Sequence, residues 1–537
     1  MKNKMVFVSL FIASAITLSA CQESVASSDT KKTQLASDAK DSETSSDTKE
    51  SEQASVNETE EQGKNMQSVN PNYLDYAGEK YTWNEISVNI PMDWSEKYII
   101  QEFDEGFSIY HKASYQKEKE MGYLCSIERS KQWMNYGAGE KLAAYTDDGT
   151  LYYFIQPTDM TGYMDDERIL SEFQSLEQDV PMMLASIEIN ADNCHYDADQ
   201  YEIPISNILS LTEENLMNMS DNELWIARNE IFARYGRKFQ NEYLQNYFDS
   251  CSWYQSKSDT VDENMLNDVE KHNLDLIIDM EGQFAAEHPY PKEYHTGAIV
   301  KEDLTGNGSE NRIMYQVVWK EEDRFDAILT IDHTAYDLCD YINMVTPVDD
   351  VFYITDLKED LMEDADGYEI AVLDFGPSYD PMTYFFKYDG VLHYIGEVSG
   401  FPFKEQENGV CGFNHFGGVA SRLRMDLIET TYLNGYCWYD SSAGTIEEQN
   451  IGMYQYEDYK AHELYVDLPV YADMDQESPV RVITAGQNVY FLYSDMSEWI
   501  FVRAKDGTQG YIRVEDGNVC NVSAPADAVF SDLDYFD

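Results

Sequence analysis

The chain has 537 residues and a formal net charge of -63, from 37 Lys plus Arg against 100 Asp plus Glu. Such an acidic molecule is a poor match for nucleic acid, whose affinity rests on cationic contacts to phosphate, and for electrostatic adhesion to anionic lipids or wall polymers. Its length exceeds what one hydrophobic core holds, so several domains are expected.

Lys2 and Lys4 precede an apolar run from Met5 to Ile16 that closes on Leu18-Ser19-Ala20-Cys21. Residues 1–20 therefore read as a secretory signal, and the run is too short for a permanent membrane helix. Its end resembles the lipobox of bacterial lipoproteins. That resemblance implies cleavage before Cys21, a lipid on that cysteine, palmitate included, and a place on the extracellular face of the cell membrane, in a Gram-positive bacterium.

Residues 21–70 read as a disordered tether. From Gln22 to Asn70 there is no Phe, Tyr, Trp or Pro, and eleven acids face five bases, so the segment cannot bury enough apolar surface to offset the entropy of ordering. A coil of this length reaches roughly 35 to 42 Å root-mean-square. Most of the negative charge must then lie on the folded part. Seven cysteines remain beyond Cys21, an odd number with no C-x-x-C; only Cys411 with Cys437 is a reasonable disulfide candidate.

Residues 71–193 read as an α+β, sandwich-like domain. "ISVNIPMDW", "EGFSIYHKASY" and "MGYLCSIERS" carry strand patterns, and a helix bearing Ile169, Phe173 and Leu176 precedes a last strand. Trp83 and Trp94 are more readily explained by the core than by a ligand face.

Residues 200–287 read as a small helical domain. Ser220-Asp-Asn-Glu223 spells a capping box, Leu224, Ala227, Ile231 and Tyr235 recur on one stripe, and Gly236 supplies a left-handed terminator. A second helix, "NEYLQNYFDS", an aromatic turn, "CSWY", and a third helix with Leu266, Val269, Asn273 and Ile277 in register follow. This run resembles the YARHG domain of bacterial extracytoplasmic proteins, with Phe232 in place of the motif's Tyr and Tyr235 in place of its His. The resemblance implies a helical extracellular module with a wall-associated ligand. Arg228 and Arg234 fall on opposite shoulders of the stripe. They either pair with the domain's own carboxylates, such as Glu223, Glu230 or Glu242, or form an anion-binding rim.

Residues 289–440 read as an aspartate-rich antiparallel β domain, too short for a propeller. Asp303, Thr305 and Asn307 stand at calcium-loop spacing, and Asp366-Gly367 repeats the acid-Gly pattern of Asn307-Gly308 after 59 residues. The segments resemble the aspartate-rich repeats of integrin-like proteins. With one firm carboxylate, an Asn-Gly turn is the better explanation and calcium the weaker one.

Residues 459–521, with several short strands split by turns, resemble bacterial Src-homology-3-like domains and predict a small β-barrel, in which Trp499 and Tyr511 either line a groove or pack the interior. Residues 522–537 form an acidic tail. No catalytic or metal motif occurs. The expected protein is a non-enzymatic, lipid-anchored binding or scaffolding protein of the cell envelope. It needs no cofactor, and its partners are the membrane, through Cys21, and peptidoglycan or another surface protein. A calcium-assisted adhesin is the alternative; a cell-wall glycan hydrolase, needing two carboxylates across a cleft, is the weaker one.

Overall fold

A computed structural model describes residues 70–119, 121–133, 139–217, 219, 221–287, 290–321, 324–357, 367–376, 381–403, 419–440, 443–474 and 481–535. The leader, Cys21, the tether, Ser220, Asp366 and Cys411 lie outside them. The described chain is multidomain and mostly β-sheet, with few helices.

The first unit has a six-stranded antiparallel sheet built on the hairpin Tyr98–Phe103 and Gly106–His111, and a three-stranded sheet of Gly78–Trp83, Ile86–Pro91 and Glu188–Ile189. Helix α1 (Lys112–Lys117) interrupts what reads as one strand in the sequence; helices α2 (Glu167–Glu177) and α3 (Val180–Ala185) cover the sheets. Ile169, Phe173 and Leu176 of α2 point inward as their spacing predicts, and Asp166 caps it through the amides of Arg168 and Ile169. Trp94 is fully buried, with Nε1 donating to Asp179 at 2.8 Å, and Trp83 is in the same core.

The helical unit comprises α4 (Glu213–Leu216), α5 (Asp221–Ala233), α6 (Glu242–Ser250) and α7 (Asp268–Glu287). Leu224, Ala227 and Ile231 of α5 are buried, together with Ile277 of α7, Leu151 and Tyr153 of the first unit. Gly236, at φ 81°, ends the helical run, and a Cβ there would meet the carbonyl oxygen of Gln255 at 2.6 Å. Only glycine satisfies both constraints.

The aspartate-rich region is a four-stranded sheet (Val300–Glu302, Asn311–Glu321, Arg324–Ile331, Thr334–Asp337) packed on a five-stranded one containing Val351–Thr355, Glu369–Asp374 and Met382–Tyr388. Their inner faces meet at Tyr315, Leu329, Phe352, Ile370 and Phe386. The two glycine-bearing loops 59 residues apart are neighbours: a Cβ on Gly367 would lie 2.4 Å from the carbonyl oxygen of Leu304.

The last region departs from the expected barrel. Asn488–Ser494, Trp499–Ala504 and Gln509–Glu515 belong to an open ten-stranded sheet that begins with Val419–Asp426 and Thr430–Asp440, and no closed barrel occurs among the described residues. The reason is edge occupancy: Asn488–Ser494 bonds Tyr454–Tyr456 and Ala461–Glu463 on the side that a closing strand would need. Nor do residues past 521 hang free, since Ala526, Val529 and Phe530 enter this core.

Candidate functional site

Arg234 follows α5 by one residue and Glu230 lies one turn earlier, so the two side chains share a face. Nη2 of Arg234 is 2.9 Å from Glu230 Oε1 and also donates to the carbonyls of Ile203 at 3.1 Å and Pro204 at 3.2 Å. The other carboxylate oxygen accepts the amide of Glu202 at 2.6 Å. The Arg234 side chain is 12 % exposed and that of Glu230 is 0 % exposed. Burial drives the Glu230 carboxyl upward while Arg234 draws it back down. The guanidinium carbon sits 4.2 Å from the Tyr201 ring centre and 5.9 Å from that of Trp253, which stacks on Tyr201 at 4.6 Å. Arg234 is thus directed inward, stacked over an aromatic face and paired with a carboxylate.

Arg228 and Arg237 also meet internal partners, whereas Lys238 is exposed. Arg228 Nε is 2.9 Å from Glu281 Oε2 on α7, and Arg237 lies between Phe232 and Phe239, 5.3 and 5.4 Å from their ring centres. Tyr235 donates its hydroxyl to Glu270 at 2.6 Å; that carboxylate also accepts the Asn267 amide, while the Asn267 side chain accepts the Glu270 amide. The Tyr in the motif's His place therefore holds the start of α7. Asn273, fully buried, accepts from Leu211 N and donates to the carbonyls of Ser206 and Leu209. It ties the incoming loop to α7.

Helix α6 seats the helical unit on the ten-stranded sheet. Tyr243 and Tyr247 meet Tyr459 edge-on, with ring centres 6.1 and 5.7 Å away, in a core shared with Tyr436 and Tyr490. Lys505 reaches from the sheet to the end of α6 and donates to the carbonyls of Asp249 at 2.6 Å and Cys251 at 2.7 Å. A cation there meets the negative end of the helix dipole. Gln509 donates to Asp199 at 2.5 Å, and Asn72, from the first unit, donates to the Gly507 carbonyl at 3.2 Å. Three units therefore converge on one junction.

The other candidates fall apart in space. Tyr511 is buried, whereas Trp499 is half-buried, edge-on to Tyr471 at 5.5 Å and beside the exposed pair Arg513 and Glu498. The Asp495 carboxylate accepts the amides of Ser497, Glu498 and Trp499, which fixes the turn presenting Trp499. Asp303 accepts the amides of Thr305, Asn307 and Gly308 and the Thr305 hydroxyl. Its oxygens close a turn, and Asn307 accepts the amide of Ser309 in the same loop.

One arrangement that the sequence did not single out has the composition of a catalytic triad. His111 is 2.9 Å from Ser114 Oγ through Nδ1 and 2.9 Å from Glu172 Oε1 through Nε2. Ser114 and His111 are fully buried, and Ser114 Oγ also accepts the Tyr163 amide at 3.1 Å. The hydroxyl has no exposed approach, so the trio fastens α1 to α2.

A YARHG domain model matches residues 199–282. The helical unit is a YARHG domain. No curated protein and no solved structure matches the chain. Within this YARHG domain Tyr201 and Glu281 carry no signal in the sequence, and Trp253 is visible there only as part of the "CSWY" turn; tertiary structure brings all three to the arginines.

Proposed function

We propose that the chain is a lipid-anchored, extracellular binding protein of the bacterial envelope that recognises cell-wall components without catalysing a reaction. The YARHG domain supports the extracellular setting. Cys21, after its leader, carries the lipid, and residues 22–70 act as the tether. The observation that carries the binding reading is the three-way junction: a last sheet that meets the YARHG domain through α6 and the first unit through Asn72 makes one presenting body. Trp499, half-accessible on a fixed turn beside Arg513 and Glu498, is the contact residue, in the region that resembles Src-homology-3-like domains. An aromatic face flanked by both charges suits the sugar and short-peptide chemistry of wall polymers.

The test has two parts. Cell fractionation places the wild-type chain in the membrane and Cys21→Ser in the medium; equal partition of both removes the lipid anchor. Sedimentation of residues 22–537 with isolated walls, with and without chelator, gives chelator-independent pelleting. Pelleting that chelator abolishes favours the calcium-assisted adhesin instead.

A further inference from the structure

The strand Asn311–Glu321 is paired unequally on its two sides. Arg324–Ile331 follows it along almost its whole length, from Ile313 opposite Ile331 to Trp319 opposite Phe325. On the other side Val300–Glu302 covers only Asn311 to Ile313, and the Gly297 amide then donates to the Tyr315 carbonyl at 2.7 Å. In an antiparallel strand the amide and carbonyl of one residue point to the same side, and the side alternates along the chain. The Tyr315 carbonyl thus sets the direction for Val317 and Trp319: their backbone groups face the uncovered side, where no backbone partner meets them among the described residues. Val318 is 47 % exposed and Trp319 43 % exposed. Such an edge invites another strand.

The geometry points to a second copy of this chain as the occupant, joined by antiparallel pairing of Gln316–Lys320 with itself about Val318. That register sets Val317 against Trp319, a β-branched residue against an aromatic, Val318 against itself, and Gln316 against Lys320. No like charges oppose one another in this short stretch, and each of these pair types is acceptable in an antiparallel ladder. The Lys320 ammonium, which would otherwise discourage pairing, is held by Asp326 of the adjoining strand at 2.5 Å. Trp319 is steadied by Nε1 donating to Asp349 at 3.0 Å. Val317 and Trp319 of one copy then exchange amide and carbonyl bonds with Trp319 and Val317 of the other, merging two four-stranded sheets into one of eight. The chain's net charge of -63 opposes the approach of two copies, so the pairing strengthens as salt screens that repulsion.

Cross-linking of the full chain tests the pairing. Val318 is a non-hydrogen-bonded pair with itself, at a Cα separation of about 4.5 Å, within reach of a disulfide. Val318→Cys is expected to give a covalent dimer under mild oxidation well above the wild-type background, while Gln316→Cys, whose counterpart is Lys320, gives only background. Val317→Pro removes an amide that the folded chain does not use but the pairing needs. In sedimentation velocity the wild type shows a dimer fraction that grows from low to moderate salt; Val317→Pro, or Trp319→Lys, stays monomeric. Equal cross-linking of the two cysteine variants, trapping of a different protein at Val318→Cys, or an unchanged dimer fraction in both edge variants overturns the proposal.

Discussion

The guanidinium of Arg234 lies 4.2 Å from the centre of the Tyr201 ring, on which Trp253 stacks. With Glu230 one turn away and two main-chain carbonyls as further acceptors, the charge of Arg234 is spent inside its own domain. The positive charge serves folding.

Arg234→Met leaves the Glu230 carboxylate buried without its counterion. Breaking a buried pair by removing one partner costs about 3–5 kcal/mol, so the variant should melt well below the wild type in thermal unfolding. Adding Glu230→Gln removes the stranded charge, and the double variant should regain part of the loss. An unchanged melting temperature in Arg234→Met would mean that the arginine is not structural.

Asn273 is a second internal fastener, with three main-chain partners in the loop from Ser206 to Leu211. Asn273→Leu strands two carbonyls and one amide. At about 1–3 kcal/mol for each buried group left unsatisfied, the expected loss is at least about 3 kcal/mol in urea unfolding of the YARHG domain.

Lys505 couples that domain to the last sheet. Lys505→Met keeps the aliphatic stem but removes the charge from the end of α6, with an expected loss of about 1.5–3 kcal/mol, the range for hydrogen bonds to a charged group. Hydrogen exchange gives the sharper reading: amides from residue 245 to 254 should exchange faster, while those of α2 stay unchanged. Uniform exchange across both helices would contradict a local coupling.

These three roles differ in how far the sequence revealed them. The buried stripe of α5, Gly236 and the inward face of α2 depend on periodicity and one backbone angle, so they were legible. The Asp303 segment was also legible as a turn, because its bonds stay within five residues. The partners of the arginines were not: Glu281 is 53 positions from Arg228, and Tyr201 lies outside every helix. The barrel expectation failed for the same reason. Strand patterns mark Asn488–Ser494 locally, but which strands occupy its other edge is decided by Tyr454–Tyr456 and Ala461–Glu463.

Acidity should stabilise the aspartate-rich region through Glu369. Its side chain is 2 % exposed, accepts the Leu357 amide at 2.9 Å and lies 3.7 Å from Lys387 Nζ. Burial pushes its carboxyl up to about 7 from an ordinary 4.5, with the Leu357 amide and Lys387 pulling the other way. The folded state therefore holds the extra proton between those values. This contribution, up to about 3 kcal/mol, is fully present below the unfolded value and is lost as pH rises through the folded one. The melting-temperature difference between wild type and Glu369→Gln should move against the wild type as pH rises from 5 to 8. A difference that does not change with pH would refute the assignment.

The most direct measurement of the binding account is an isotherm for residues 22–537 on isolated cell walls, comparing wild type with Trp499→Ala. An aromatic anchor at a binding face is worth about 1–2 kcal/mol or more on truncation. Saturable pelleting of the wild type is expected, with no release of wall fragments and binding weakened at least about tenfold in Trp499→Ala. Absence of wild-type pelleting, or equal pelleting of the two proteins, would contradict it.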